Sequence, residues 1–310
     1  MHFKDFRYTL KRGLQISSAL LIFCLFVLSA QAQPLAKHVL FIGLDGWAAQ
    51  HFEDYHDIPN IRMMMQEGSY TLHKRAVLPS ASGINWASIF MGVSTAVHGF
   101  TTWNCENHDI PYPAVNERGI FPTIFSIIRE KYPKAETGCT FDWEAIKYII
   151  DTAAINYVEY YPGGDENLEQ YTDRVIKYIK EKKPMFFVPY FGGIDEYGHA
   201  KGWYSPEYYD YVARTDKNIG RIIQALKDAG IYDDTIIVIT SDHGGHDHGH
   251  GTVAMEDVET PLVIFGKKVK KGYEIKAPVV QYDVAATLAY ILGIDPPQVW
   301  RGKPVKEAFK

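Results

Sequence analysis

The chain is poor in cysteine: among 310 residues only Cys24, Cys105 and Cys139 occur. So few excludes a disulfide-dense miniature scaffold, and no set of thiolates is available for a zinc finger. Basic residues are not in excess either, since 32 Lys and Arg stand against 37 Asp and Glu, a net charge of −5. That balance excludes a surface built to coat nucleic acid. The chain has no internal repeat, low-complexity tract or clear linker, which excludes solenoids and fibrous arrays. Beyond the first 32 residues, no apolar run reaches the roughly 20 residues needed to span a bilayer.

The first 32 residues read differently. Lys4, Arg7, Lys11 and Arg12 precede an apolar stretch from Ile16 to Ala30, followed by the small-x-small pattern Ala30-Gln31-Ala32. This order predicts a secretory signal peptide over 1–32, with an uncleaved membrane anchor as the rival reading, and with cleavage an exported protein, periplasmic or secreted. Phe23 before Cys24 is too bulky for a lipid-attachment site. Without this segment, which carries four basic groups and one acid, the remainder sits near −8. It is long enough for one large catalytic domain over 33–310, with a substantial core and no membrane span after cleavage. Cys105 and Cys139 then stand as either one disulfide or two buried thiols.

Apolar runs alternate with helical patterns along this domain. His38 to Leu44, Met185 to Phe191, Thr235 to Thr240 and Pro261 to Phe265 read as buried strands. Helices are expected over Pro59 to Glu67, Ile84 to Met91, Pro122 to Tyr132, Pro206 to Ala229 and Asp283 to Leu292. One more carries the stripe Leu168, Tyr171, Val175 and Tyr178, with Asp165 as its cap. Gly99 to Gly119 and Thr152 to Asp165 read as irregular, aromatic-rich loops. The alternation predicts an α/β fold, a mostly parallel central sheet with helices on both faces. Functional loops then belong at the carboxyl ends of the strands.

Three strand ends carry ligand chemistry. Asp45-Gly46 breaks the first strand, Asp242-His243 the third, and Asp195 and His199 follow the second at a four-residue spacing. His250 adds another imidazole. One post-strand Asp is ordinarily a turn or cap residue; three such ends converging are not explained by turn chemistry. Oxygen and nitrogen donors without thiolate suit Zn²⁺ or Mn²⁺. One zinc needs only three or four ligands, so this inventory serves two divalent ions.

These residues sit in blocks that resemble the alkaline phosphatase superfamily, and within it the type I phosphodiesterase/nucleotide pyrophosphatase family. The blocks are L-D-G at Asp45, L-P-S-A-S-G-I-N-W-A-S-I-F-M-G-V-S-T-A-V-H-G, G-I-D-E-Y-G-H, and S-D-H-G-G with the H-G at His250. The tail Q-Y-D-V-A-A-T-L-A-Y-I-L-G-I resembles that superfamily's closing helix. The resemblance implies an alkaline-phosphatase-like three-layer sandwich. It implies that Asp195, His199 and His250 hold one metal ion and Asp45, Asp242 and His243 the other. A hydroxyl between the metals is the nucleophile, and alignment back from Gly92 sets it at Ser82, itself a metal ligand, with Ser80 as the neighbouring alternative. Asn85 falls on the family's Asn and is expected to donate to a phosphoryl oxygen. The family's usual Thr, Phe, Pro and His are all changed in S-G-I-N-W, so the substrate pocket departs from the family pattern.

The expected activity is hydrolysis of phosphodiester or pyrophosphate bonds of a small-molecule phosphate ester. Ser82 takes the phosphoryl group and water then hydrolyses the phosphoseryl intermediate. Phosphomonoesterase is the alternative, but a monoester dianion calls for extra positive charge and the motif blocks contain no Arg or Lys there. A sulfatase of this superfamily carries Cys or Ser followed by x-Pro-x-Arg, whereas Gly83-Ile84-Asn85-Trp86 follows Ser82. Trp47, Trp86, Trp103 and Asn104 are candidate pocket residues. His98, Asp216 and the His246-Asp247-His248 stretch are expected to serve local structure.

Overall fold

A computed structural model describes residues 33–310; the signal peptide expected over 1–32 lies outside the described residues. In chain order the strands are β1 (His38–Leu44), β2 (Ser69–Arg75), β3 (Thr137–Phe141), β4 (Tyr157–Tyr160), β5 (Phe186–Phe191), β6 (Thr235–Thr240), β7 (Glu259–Phe265) and β8 (Tyr273–Glu274). The longer helices are α1 (Pro59–Glu67), α2 (Ser82–Met91), α3 (Ile124–Lys131), α4 (Leu168–Lys182), α5 (Gly193–Lys201), α6 (Pro206–Asp228) and α7 (Asp283–Ile291). Among the described residues no helix is long and apolar enough to cross a membrane.

The strands form one eight-stranded sheet in the order β4-β3-β5-β1-β6-β7-β2-β8. β1 pairs in parallel with both β5 and β6, while β7 runs antiparallel to β6 and to β2. The sheet is therefore mostly parallel with an antiparallel flank, the flank being the feature that runs of apolar residues could not announce.

Side chains alternate across this sheet, as the two-residue period of a strand requires. Val39 and Phe41 of β1 enter a core with Ile236 and Val238 of β6 and residues of α2, α3 and α7. Leu40, Ile42 and Leu44 face the other way, into a core with Ile237 and Ile239 and residues of α1, α4 and α6. Burial on both faces explains why the central strands carry apolar residues on both faces. The result is the expected three-layer arrangement.

Local expectations fail at identifiable places. Asp165 does not cap α4; the residue before the helix is Asn167, and it makes no side-chain cap bond. The D-E-Y-G-H segment after β5 forms part of helix α5. The stretch read as an irregular loop over Thr152 to Asp165 contains β4, an edge strand. Cys105 and Cys139 are two free, buried thiols, and burial pushes both thiols up, Cys105 to about 12.

Candidate active site

Three adjacent parallel strands end level with one another. Gly43 of β1 is in register with Tyr190 of β5 and with Thr240 of β6. The next residues beyond these ends are the ones that carry ligand chemistry, so the register itself gathers them. The Asp45 N–H donates to Phe191 O at 3.0 Å, extending the β1–β5 pairing to the last step. Gly46 then turns the chain at a positive φ of 67°. A Cβ there would lie 2.8 Å from the Asp195 Cα, so both the turn and the close approach of α5 require glycine.

Asp45 and Asp242 are each held by one carboxylate oxygen and leave the other bare. Asp45 Oδ2 accepts from the Trp86 indole N–H at 2.8 Å and from the Tyr190 hydroxyl, while Oδ1 has no hydrogen-bond partner. Asp242 Oδ1 accepts from the Gly46 N–H at 3.2 Å, and its Oδ2 is likewise unpartnered. Asp195, on the first turn of α5, leaves Oδ1 unpartnered as well. Buried polar atoms are ordinarily satisfied, so three bare carboxylate oxygens at one place mark a binding site for positive charge.

The histidines are arranged to the same end. His243 Nδ1 lies 2.7 Å from Gly244 O, His199 Nδ1 2.9 Å from His248 O, and His250 Nδ1 2.9 Å from Ser80 O. A carbonyl can only accept, so in each ring Nδ1 is the N–H and Nε2 presents its lone pair. His243 Nε2 is 3.4 Å from Asp45 Oδ1, 3.2 Å from Asp242 Oδ2 and 3.9 Å from Asp195 Oδ1. Asp195 Oδ1 is also 3.7 Å from His250 Nε2, and Asp195 Oδ2 is 3.5 Å from His199 Nε2. His243 and His250 stack at 3.7 Å between ring centroids.

Two groupings result. Asp195, His199 and His250 form one; Asp45 and His243 form the other, with Asp195 between them and Asp242 against His243. Burial raises the carboxyls of Asp45, Asp195 and Asp242, and lowers the imidazoles of His243 and His250 to about 4 and about 3. Protein charge alone leaves the carboxylates costly; divalent cations remove that cost. The bare oxygens, the free Nε2 atoms and the absence of sulfur fit divalent metal ions.

Ser82 opens α2 at the floor of a cavity of about 490 Å³ that also exposes Asp45, Asp195, His199 and His250. Its Oγ is 3.1 Å from His243 Nε2. Ser80 points elsewhere, its Oγ donating to Thr252 O at 2.7 Å. The Gly83 N–H is committed to Trp103 O at 3.0 Å, so that amide of the helix end is not offered to a ligand.

Asn85 is where the sequence-based expectation must be corrected. It is fully buried and absent from the cavity wall. Its Oδ1 accepts from the Val77 N–H at 2.8 Å, and its Nδ2 lies within 3.1–3.2 Å of the carbonyls of Val77, Pro79 and Ala81. The amide is spent on the backbone leading into Ser82. It shapes that approach and has no donor left for a phosphoryl oxygen.

Other candidates separate cleanly. Trp47 and Trp86 are buried, while Trp103 lines the cavity mouth and Asn104 is exposed, its Oδ1 accepting from Thr102. Asp216 accepts from the Asn60 and Ile61 N–H groups and so caps α1 from α6. His98 bonds Ser88 and the Phe100 N–H, and His246 pairs with Asp257. Lys74 and Gln281 escaped sequence reading. Buried Lys74 donates to Ser241 O at 2.9 Å and to Gln281, whose Nε2 donates to Asp242 O at 2.6 Å. Together they brace the Ser241–Asp242 turn from behind. A lysine in the alternating pattern of β2 carries no mark that separates it from a surface residue.

Known proteins resemble this chain in sequence over part of its length and in fold over most of it. The chain is 33% identical over 142 residues to GPI ethanolamine phosphate transferase 1 of Emericella nidulans. That match covers 38% of this chain but only 15% of the relative, so the chain spans a small part of that protein's length. A murine ectonucleotide pyrophosphatase/phosphodiesterase 5, solved as an inactive variant with AMP, superposes with a TM-score of 0.70 at 14% identity. The match covers 88% of this chain and 100% of that one. A protein solved with D-glucosamine-2-N,6-O-disulfate as its substrate gives a TM-score of 0.69 at 16% identity, covering 88% of this chain and 80% of the other. At such identities the structures establish the fold alone. The profile of the type I phosphodiesterase / nucleotide pyrophosphatase family, however, matches residues 39–262, which include Asp45, Ser82, Asp195, His199, Asp242, His243 and His250, and the chain belongs to that family.

Proposed function

We propose that the protein is an exported phosphodiesterase in which Ser82 is the nucleophile. The observation that carries this reading is the position of Ser82 Oγ. It lines the cavity 3.1 Å from His243 Nε2, the atom that itself lies 3.4 Å from the bare oxygen of Asp45 and 3.2 Å from that of Asp242. Asp195, His199 and His250 would hold one divalent ion, and Asp45, Asp242, His243 and Ser82 the other, with Zn²⁺ or Mn²⁺ suited to the donors. Bound there, the two ions supply a lowered hydroxyl pKa and neutralise charge on the phosphoryl group.

The chain's own residues do the positioning. Helix α2 and the Asn85 staple fix Ser82 for in-line attack. The Ser82 Oγ–phosphorus bond forms as the ester oxygen departs. Water then cleaves the phosphoseryl bond and restores the hydroxyl. Trp86 and Tyr190 hold Asp45 in one orientation throughout.

A diester is favoured over a monoester because no Lys or Arg lines the cavity. The likeness to an ethanolamine phosphate transferase supports a second reading, in which an alcohol rather than water accepts the phosphoryl group from Ser82. Both readings share the first step. The test is a panel of p-nitrophenyl phosphate, bis-p-nitrophenyl phosphate, thymidine 5′-monophosphate p-nitrophenyl ester and p-nitrophenyl sulfate, with Zn²⁺ or Mn²⁺ supplied. Diesters should dominate, and Ser82→Ala should lower turnover by several orders of magnitude while retaining metal. Near wild-type turnover in Ser82→Ala would overturn the assignment. Export is tested separately, by finding the N-terminus of the secreted protein at Gln33.

A further inference from the structure

We propose that Trp203 is a positioning residue for the two histidines of the Asp195, His199 and His250 grouping, so that one indole sets how tightly that grouping holds its metal ion. The inference rests on the two-ion reading above and concerns a residue outside every motif block.

Trp203 lies in the short connection between α5 and α6, four positions after His199, and is 5% exposed. It does not line the cavity, so it acts on no substrate directly. Its indole is packed instead among three strand ends at once. The indole N–H donates to Gly46 O at 3.0 Å, on the turn that follows β1. On α5, a Cβ at Gly198 would fall 2.6 Å from the ring. In the segment after β6, a Cβ at Gly245 would fall 2.3 Å from it. The indole therefore enters only because both positions are glycine, one in E-Y-G-H and the other in H-G-G. The main chain is tied as well, since the Trp203 N–H donates to Asp247 O at 2.8 Å.

The ring meets both imidazoles of one metal grouping. His199 stands edge-to-face with it at 5.1 Å between centroids and 85° between planes, and His250 at 5.9 Å and 65°. One carbonyl bond at each Nδ1 sets the tautomer, but a single bond leaves a ring free to pivot about it. The side chain of His199 is 44% exposed, so its orientation depends on the contacts it has: Asp195, the His248 carbonyl, the His250 ring and the indole. A packed ring removes the pivoting freedom before an ion arrives, and a ligand ordered in advance binds more tightly.

The other grouping does not depend on this indole. Asp45 is held by Trp86 and Tyr190, and Gly46 O keeps a second donor in the Tyr208 hydroxyl at 2.9 Å. His243 is fully buried, with its Nδ1 on Gly244 O. Loss of the indole should therefore act on one ion and spare the other.

The test measures the number of Zn²⁺ ions bound by the full chain and their separate affinities, by chelator competition with metal analysis. Wild type should bind two. Trp203→Phe keeps a smaller aromatic ring and loses the N–H; it should weaken one ion by on the order of tenfold. Trp203→Leu should weaken the same ion further, and where Leu impairs folding, Phe decides. Adding Tyr190→Phe to Trp203→Phe should weaken both ions, because the two residues serve different groupings. Equal weakening of both ions by Trp203→Phe overturns the proposal, as does a double variant in which only one ion is weakened. A purely structural role would lower the melting temperature and leave both affinities of the folded protein unchanged, and that result also overturns it. Fewer than two ions in wild type overturns the two-ion reading itself, and this proposal with it.

Discussion

Replacing Tyr190 by Phe isolates one hydrogen bond at the centre of the site. The Tyr190 hydroxyl and the Trp86 indole both donate to Asp45 Oδ2, and this pair turns Oδ1 toward His243. Phenylalanine keeps the ring, with its edge-to-face contact on Trp86 at 5.1 Å and its stack on Trp143 at 6.3 Å. What is lost is one donor to a carboxylate, a bond that contributes about 1.5–3 kcal/mol. Affinity for the metal ion proposed at Asp45 and His243 should therefore fall by about 10–100-fold, the range seen when partners of metal ligands are removed. An ion at the proposed Asp195, His199 and His250 site should be affected far less, because Tyr190 bonds none of those residues. A second consequence has a definite sign. Burial raises the Asp45 carboxyl and the Tyr190 and Trp86 bonds pull it back down. Losing one bond raises it further, so protons compete better and half-maximal metal binding moves to higher pH. The assay is competition against a chelator of known affinity at several pH values, followed by metal analysis. Two ions bound with wild-type affinity and unchanged pH dependence would refute the idea that Tyr190 orients a metal ligand.

Asn85→Ala should lower stability by about 3 kcal/mol, because the carbonyls of Val77, Pro79 and Ala81 and the Val77 N–H lose their partner together. Thermal unfolding and kinetics measured side by side check this; a large loss of kcat with an unchanged melting temperature would restore a direct catalytic role. Lys74, buried behind Asp242, is lowered to about 7 mainly by burial. Between that value and 10.5 the unfolded chain holds a proton that the native chain does not, so stability rises with pH there, by at most about 1.4 kcal/mol per unit. Denaturant titrations from pH 7 to 10 should show this rise in wild type and not in Lys74→Met; parallel curves would contradict it. Cys105 and Cys139 should resist Ellman's reagent in the native protein and titrate as two thiols on unfolding; detection of fewer than two in the denatured, unreduced chain would indicate a disulfide.

Much of this protein is legible in one dimension because its signals are local. A strand buried on both faces is apolar on both, so β1, β5 and β6 stand out, and an Asp follows the end of each run within four residues. Asp195 and His199 are four apart, a spacing that helix α5 turns into proximity. The resemblance of the motif blocks to the family points to Ser82. Where the sequence was ambiguous, the reason is also local. Asp165 has the chemistry of a cap but sits two residues too early, and β4 is an edge strand whose residues alternate between half-buried and exposed.

What only the tertiary structure decided is which groups meet across long separations. Trp86 and Tyr190 reach Asp45 over 41 and 145 residues, and Lys74 reaches Gln281 over 207. Asn85 carries the right residue type for a phosphate donor, yet four backbone groups claim its amide, and nothing in its neighbours' identities announces that competition. The antiparallel flank and the pairing of Trp103 with Trp143 are of the same kind. Periodicity and motif spacing report the environment of a residue along its own segment. A hydrogen-bond partner or a stacked ring is chosen among all groups that the folded chain brings within a few ångströms, and that choice is made only once the layers have packed.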